Sequence, residues 1–213
     1  MLRVAKLLLL TLLSFCSAYS QGKLVADEFA FSTDVHFGRY ATDNRFGFGC
    51  GLVLKGVVEL SFARSTVLTK GPVLNFEHRF FLRIFAPKPK RYFISVGGGY
   101  VSQSSSTELW KDFPLELTAK GIAFEVGLHV VLEELATRRI VASFAYTYFR
   151  PRVEMRVPMR LFTESKLSRS VAFDINAVYH LGHFDLAFGP GFALESDFRN
   201  AFVGLRCNVV VKV

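Results

Sequence analysis

Two acidic–histidine pairs have the residue types and spacing that acid–base chemistry requires. Asp34 and His36 are two residues apart, and Glu125 and His129 are four apart. A carboxylate beside an imidazole can orient the ring and stabilise the proton that it accepts. Neither pair has an obvious nucleophile in its sequence neighbourhood. Catalysis is therefore a hypothesis that depends on how the surrounding elements place these side chains.

The pairs lie in stretches where large apolar residues alternate with small or polar ones, which is the period of a β-strand. From Ser168 to Val213 the alternation runs through three successive segments, with bulky residues on one face and Gly, Ala and isolated charges on the other. A soluble sheet would instead carry Lys, Glu and Thr on its outward face. The pattern favours a barrel whose outside faces lipid.

The whole chain fits an all-β fold, an antiparallel up-and-down transmembrane β-barrel of about ten strands, with eight as the alternative. The two longest connections, 102–118 and 150–167, fall on one side of the barrel, while Lys55-Gly56 and Gly182 form tight turns on the other. This asymmetry predicts that both termini are periplasmic. His78 falls on the apolar face of the fourth strand, where a bulge or a neighbouring partner would have to accommodate it.

The N-terminus has the three parts of a secretory signal peptide. Arg3 and Lys6 precede the apolar run 7–13, and small residues around Ala18 and Ser20 provide a cleavage site. The run is shorter than the about 20 residues of a spanning helix. We expect residues 1–20 to be the signal peptide and 21–213 to be one barrel domain.

The composition excludes some classes of function. A hydrophobic fraction of 51% and 23 Phe residues are high for a secreted soluble domain, and contact with lipid would account for the excess. The net charge is +8, but the basic residues are scattered and form no nucleic-acid-binding signature. Basic loops that face anionic lipopolysaccharide would explain the positive net charge equally well.

Two segments carry a family resemblance: Phe46-Gly-Phe-Gly-Cys-Gly-Leu and Phe184-Asp-Leu-Ala-Phe-Gly-Pro-Gly-Phe. With the signal peptide and the C-terminal strand, they resemble the small outer-membrane β-barrel superfamily of OmpA and OmpX type. The resemblance covers most of 29–213 and is architectural. It implies an integral protein of the outer membrane in a Gram-negative cell envelope.

On this register a set of ionisable side chains points into the lumen. Charges in a narrow, desolvated lumen must find opposite partners, so we expect a network that plugs the barrel. The predicted members are Asp34, His36, Glu59, Glu77, Arg79, Arg83, Glu125, His129, Asp174, His180, Asp185 and Arg206.

A plugged barrel predicts a structural, interaction or accessory role and no enzymatic activity. Three alternatives stay open: a pore for ions or small solutes, an outer-membrane enzyme such as a protease or lipid A acyl hydrolase, and a secreted soluble lipocalin-like binding barrel. No cofactor is predicted. No Cys/His spacing resembles a metal site, and Cys50 and Cys207 fall on apolar strand faces.

The connection 150–167 has a pattern of its own. Val153, Met155 and Val157 alternate with charged residues, which predicts strands that continue beyond the membrane into an exposed hairpin turning near Pro158. We expect it to contact lipopolysaccharide, or a protein partner together with 102–118; a merely solvated hairpin is the alternative. Its basic residues are Arg150, Arg152, Arg156, Arg160 and Lys166.

Overall fold

The computed structural model describes residues 29–40, 43–54, 57–68, 74–85, 91–110, 113–157, 160–165, 167–195 and 201–212. The predicted signal peptide, residues 1–20, lies outside this part of the chain. In the described ranges no helix is long and apolar enough to cross a membrane.

The described residues form eleven antiparallel β-strands, ten of which close into a barrel. Consecutive strands pair around the wall, and the β1–β11 and β6–β7 pairings complete the ring. The predicted count of ten is confirmed, and the alternative of eight is wrong. The strands are β1 Ala30–Tyr40, β2 Asp43–Leu54, β3 Val58–Leu68, β4 Leu74–Phe85, β5 Tyr92–Trp110, β6 Phe113–Glu134, β7 Arg138–Val157, β8 Arg160–Ser165, β9 Ser168–Leu181, β10 Phe184–Glu195 and β11 Ala201–Lys212.

The barrel wall has most of its large apolar side chains outside, and a set of charged side chains is buried inside. Phe124 and Phe173 are 58% and 42% exposed, whereas the adjacent Glu125 and Asp174 are 2% and 6% exposed. Half of the positions in every strand must face each side because the side-chain period is two. An exterior of this kind is the reverse of a lipocalin surface, so the soluble alternative is wrong.

One end of the barrel has short turns and both ends of the described chain. Ala30 pairs with both Val53 and Lys212, next to the turn that joins β2 and β3. At the same end Gly182 begins the two-residue connection between β9 and β10, and its φ of 71° is the left-handed conformation that primed hairpin turns require. We call this the tight-turn end.

The opposite end differs from the prediction. Residues 102–110 and 113–118 are strands and not a loop, since β5 and β6 remain paired beyond Ser102 as far as Trp110 and Phe113. Strands β5, β6 and β7 contain 19, 22 and 20 residues, against 11 to 14 in the other barrel strands. The polar composition of 102–118 suggested a loop, but pairing with neighbouring strands decides the structure.

The predicted continuation of the chain past Arg150 as strands is confirmed. β7 pairs with β9 as far as Phe149 and then with β8 from Arg152 to Val157. Pro158, where the turn was predicted, lies outside the described residues. Together the ends of β5, β6 and β7 with β8 form a four-stranded sheet, which we call the rim sheet.

The register at His78 is regular. His78 pairs with Arg64 on one side and Ser102 on the other without a bulge. The predicted neighbouring partner is Phe62, whose ring stacks on the imidazole at 6.2 Å between centroids and an interplanar angle of 27°. Stacking therefore accommodates the histidine on the outer wall.

Because the outer wall faces hydrocarbon, a new charge at its middle will be costly. Val126→Arg should lower the free energy of unfolding from a bilayer by about 2–4 kcal/mol, as for basic residues at the bilayer midplane. Leu161→Arg, on the exposed strand β8, is the matched control and should cost less than about 1 kcal/mol. Urea unfolding of the barrel in liposomes, followed by gel migration, measures both. Equal effects would show that Val126 does not face lipid.

Candidate functional site

The lumen is the first candidate site, and glycines help to determine its shape. Gly47 and Gly49 of β2 pair directly with His36 and Asp34 of β1. A Cβ atom on either glycine would overlap the side chain of its partner. The glycines thus leave the space into which the histidine and the aspartate fold, so the spacing of small residues on one strand positions polar groups on the next.

The first group of charges is centred on Arg83 of β4. Its Nε donates to Glu125 Oε1 at 2.7 Å and its Nη1 donates to Ser61 Oγ at 2.7 Å. Glu59 Oε1 lies 3.6 Å from the same Nη1. Gly97 stands directly across the strand pair, where a Cβ atom would be 2.8 Å from Arg83 Cγ.

The second group is centred on Glu77, farther from the tight-turn end on the same strand. Arg45 Nη2 donates to Glu77 Oε2 at 2.8 Å, and Arg79 pairs with the other carboxylate oxygen. Gln103 Nε2 donates to Glu77 Oε2 at 3.4 Å. Arg45 also donates to Ser65 Oγ at 2.6 Å, so several neighbours satisfy its guanidinium.

The opposite wall carries further pairs. Arg206 Nη1 donates to Asp174 Oδ1 at 3.0 Å, and His36 Nδ1 lies 3.7 Å from Asp34 Oδ2. Near the tight-turn end Asp185 lies 2.9 Å from His180 Nδ1. Lys212 Nζ is 2.7 Å from the other oxygen of Asp185.

All twelve side chains predicted to face the lumen occupy inward-facing strand positions, ten of them buried and Asp34 and His180 half-buried. Sequence reasoning missed Arg45, Gln103 and Lys212. Arg45 has the same parity as Gly47, so starting the second strand one residue before Phe46 would have found it. In the described part of the lumen six carboxylates face four arginines and Lys212, and the charges nearly balance.

Apolar layers separate the charged groups. Along β4 the inward side chains alternate between Phe85, Arg83, Phe81 and Arg79. Phe81 packs with Val101, Ala123 and Phe149 across β5, β6 and β7 in a buried cluster. A charged group between apolar layers is shielded from water. Removing one partner of an ion pair there leaves the other charge buried and unpaired, which is strongly destabilising.

Of the two hypothesised catalytic pairs, Asp34 and His36 are brought together at 3.7 Å, whereas Glu125 and His129 are not paired. His129 hydrogen-bonds to Ser95 Oγ through Nε2 at 3.1 Å and to Ser143 Oγ through Nδ1 at 3.0 Å. Glu125, its predicted partner, bonds to Arg83 instead. The ring of Phe93 stacks on His129 with the centroids 4.6 Å apart. The sequence did not indicate that the hydroxyl of Ser95 lies beside the imidazole of His129. Both side chains are buried.

The rim sheet is the second candidate site. Arg152 and Arg156 are 70% and 71% exposed, and each lies near a carboxylate, Glu154 at 3.1 Å and Glu116 at 3.9 Å. Arg150 faces outward on the same strand. Lys166 and the side chain of Arg160 lie outside the described residues. The basic character predicted for 150–167 is therefore partly offset by neighbouring acids.

No set of three or more His, Cys, Asp or Glu side chains within the described ranges is placed to hold a metal ion. Cys50 and Cys207 are both free and face outward.

A closed antiparallel barrel with an apolar exterior and a filled polar lumen is the architecture of the small outer-membrane β-barrels, as the sequence resemblance predicted. Solved structures have the same fold. The translocator domain of the autotransporter NalP from Neisseria meningitidis is 11% identical, with a TM-score of 0.53 over 87% of this chain and 88% of that one. The outer membrane protease OmpT from Escherichia coli is 8% identical, with a TM-score of 0.50 over 91% of this chain and 100% of that one.

The N-terminal β-barrel domain of Pseudomonas aeruginosa OprF is also similar, at 12% identity and a TM-score of 0.44 over 86% of this chain and 98% of that one. No protein-family model matches the sequence, and no curated protein matches it. The likenesses to the NalP translocator domain and to OmpT show the fold of an outer-membrane barrel and leave the role to the chain's own residues.

The Arg83 group predicts a specific stability defect. Arg83→Met leaves Glu59 and Glu125 without their shared cation inside the lumen, and should reduce the free energy of unfolding by about 3–5 kcal/mol. The compensated variant Arg83→Met/Glu59→Gln/Glu125→Gln removes the buried charges together and should recover at least half of that loss. Urea titration in detergent micelles compares the three proteins. Equal stability of Arg83→Met and the original chain would contradict a buried ion-paired lumen.

Proposed function

We propose that this chain is an integral outer-membrane protein whose lumen is closed and whose role is structural, accessory or interactive. The observation that carries the proposal is the filling of the lumen by paired charges and apolar layers. A pathway for solutes needs a continuous polar surface wide enough for water. On β4 that surface is interrupted at Phe85 and again at Phe81, both buried.

The enzyme alternative has less support. Although OmpT, which has the same fold, is a protease, a general base must be reachable by its substrate. His36 is 1% exposed and His129 lies under Phe93. Glu125, the carboxylate that could orient His129, accepts a hydrogen bond from Arg83 instead. Both features favour a packing role for these histidines.

A closed lumen should not conduct. We expect the purified barrel, inserted into planar bilayers, to give no single-channel current steps above the baseline. Insertion is verified separately by flotation with liposomes and by heat-modifiable gel migration. Reproducible single-channel steps from protein that passes both checks would favour the pore alternative.

The proposal places the function on the rim sheet, facing the cell exterior. Short turns on the periplasmic side and extended hairpins outside are the usual arrangement of outer-membrane barrels. Both ends of the described barrel chain lie at the tight-turn end, so the same orientation makes the termini periplasmic. The rim sheet then presents its basic side chains to lipopolysaccharide or to a protein partner.

Labelling tests this orientation. An epitope inserted between Val157 and Arg160 should bind antibody on intact cells, while an epitope added after Val213 should bind only after the outer membrane is permeabilised. Permeabilised cells serve as the control for both insertions, because each epitope must then be detectable. Labelling of the C-terminal epitope on intact cells would show that the barrel has the opposite orientation.

A further inference from the structure

A groove of about 790 Å³ lies on the outer wall at the base of the rim sheet. It occurs where β7 changes partner from β9 to β8, so the wall opens between Phe149 and Arg152. Its cationic side chains are Lys120, Arg150 and Arg152. Below them the groove is lined by Ile122, Phe124 and Tyr148.

The cations stand at the boundary between apolar and polar rows of the outer wall. Across neighbouring strands Arg64 pairs with His78, then Ser102, Lys120 and Arg152. We call these five the basic row. The row beneath it consists of Phe62, Phe80, Tyr100 and Ile122, paired across the same strands, with Arg150 at its end. Aromatic residues next to cations mark the interface of a membrane, where lipid phosphates lie.

The basic row places like charges opposite one another. Lys120 and Arg152 are direct partners across β6 and β7, and like charges in this position destabilise a sheet. Neither Lys120 nor Arg150 is paired with a carboxylate within the described ranges. An anion held between the three side chains would relieve this repulsion and gain charge-assisted hydrogen bonds.

We propose that the groove binds lipopolysaccharide, with a phosphate of its lipid A held by Lys120, Arg150 and Arg152 and an acyl chain lying against Ile122, Phe124 and Tyr148. This rests on the orientation given under the proposed function, which places the basic row in the outer leaflet. Three clustered cations suit a headgroup with more than one negative charge. The apolar wall directly below them suits a ligand whose acyl chains begin at its phosphorylated sugars.

The acidic neighbours do not reverse this complementarity. Glu164 lines the groove and Glu154 lies beside Arg152, but three cations face the ligand against one lining carboxylate. The Arg152–Glu154 pair is 70% and 37% exposed. An ion pair as exposed as this contributes little to stability, so Arg152 can turn from Glu154 to a phosphate at small cost.

The test uses the folded barrel in detergent micelles, titrated with rough lipopolysaccharide, with its dephosphorylated form and with phosphatidylglycerol. Bound lipid is counted by native mass spectrometry. The variant Lys120→Gln/Arg150→Gln/Arg152→Gln should bind rough lipopolysaccharide about 100-fold more weakly, from the usual contribution of a cation at an anionic membrane surface. The original protein should lose a similar factor with the dephosphorylated lipid.

The matched control is Arg39→Gln/Arg91→Gln/Arg138→Gln, which removes the same charge from exposed or half-buried positions away from the groove. It should keep the affinity of the original chain. Equal losses in the two triple variants, or equal affinity of the original chain for lipopolysaccharide and phosphatidylglycerol, would overturn the site. If the groove variant does not fold, Lys120→Gln against Arg91→Gln makes the same comparison at about fivefold.

Gel migration and bilayer recordings distinguish the two proposals. A barrel that migrates as folded and stays silent in bilayers, yet binds lipopolysaccharide equally with and without the three cations, contradicts the groove and leaves the closed barrel standing. A conducting barrel that still requires the cations for lipopolysaccharide contradicts only the closed lumen.

Discussion

The structure depends on one constraint, that backbone N–H and C=O groups find no partners in hydrocarbon. Each unsatisfied group there costs several kcal/mol, so a sheet can cross a membrane only if it closes on itself. Here closure is made by β1 with β11 and by β6 with β7. Once the ring is closed, every second side chain of a strand points to lipid. The others point into a narrow interior that is surrounded by only ten strands.

The narrow interior explains the side chains that fill it. A large residue needs a small one across the strand pair, as Arg83 does with Gly97. A carboxylate there needs a cation, since water is scarce and an unpaired buried charge is costly. The near balance of lumenal charges follows from the same requirement. Buried, paired side chains in the lumen are therefore the default result of packing a small barrel, and an open pore would require additional space.

Alternation was predictable because it is local: the outward Phe173 and inward Asp174 can be read from neighbouring residues alone. The hydrogen-bonding partners were not predictable, because they depend on the exact register between neighbouring strands. His129 bonds to Ser95 and Ser143, which are 34 and 14 residues away in sequence. The prediction of a loop over 102–118 is wrong for the same reason. Its serines suggest a loop, but pairing with both β4 and β6 holds Ser102 to Ser106 in a strand.

At the basic row the outward face of the sheet changes from apolar to polar, while its inward face becomes apolar. Below Lys120 the outward positions of β6 are Ile122, Phe124 and Val126; above it they are Thr118 and Glu116. The inward face continues with Leu117, packed against Ala119 and Val153. Above the row the strands therefore form an ordinary antiparallel sheet with one apolar and one polar face, which water can solvate. The change at Lys120 marks where hydrocarbon ends, and it places the cations beside the groove at the depth where we propose that they bind lipid phosphate.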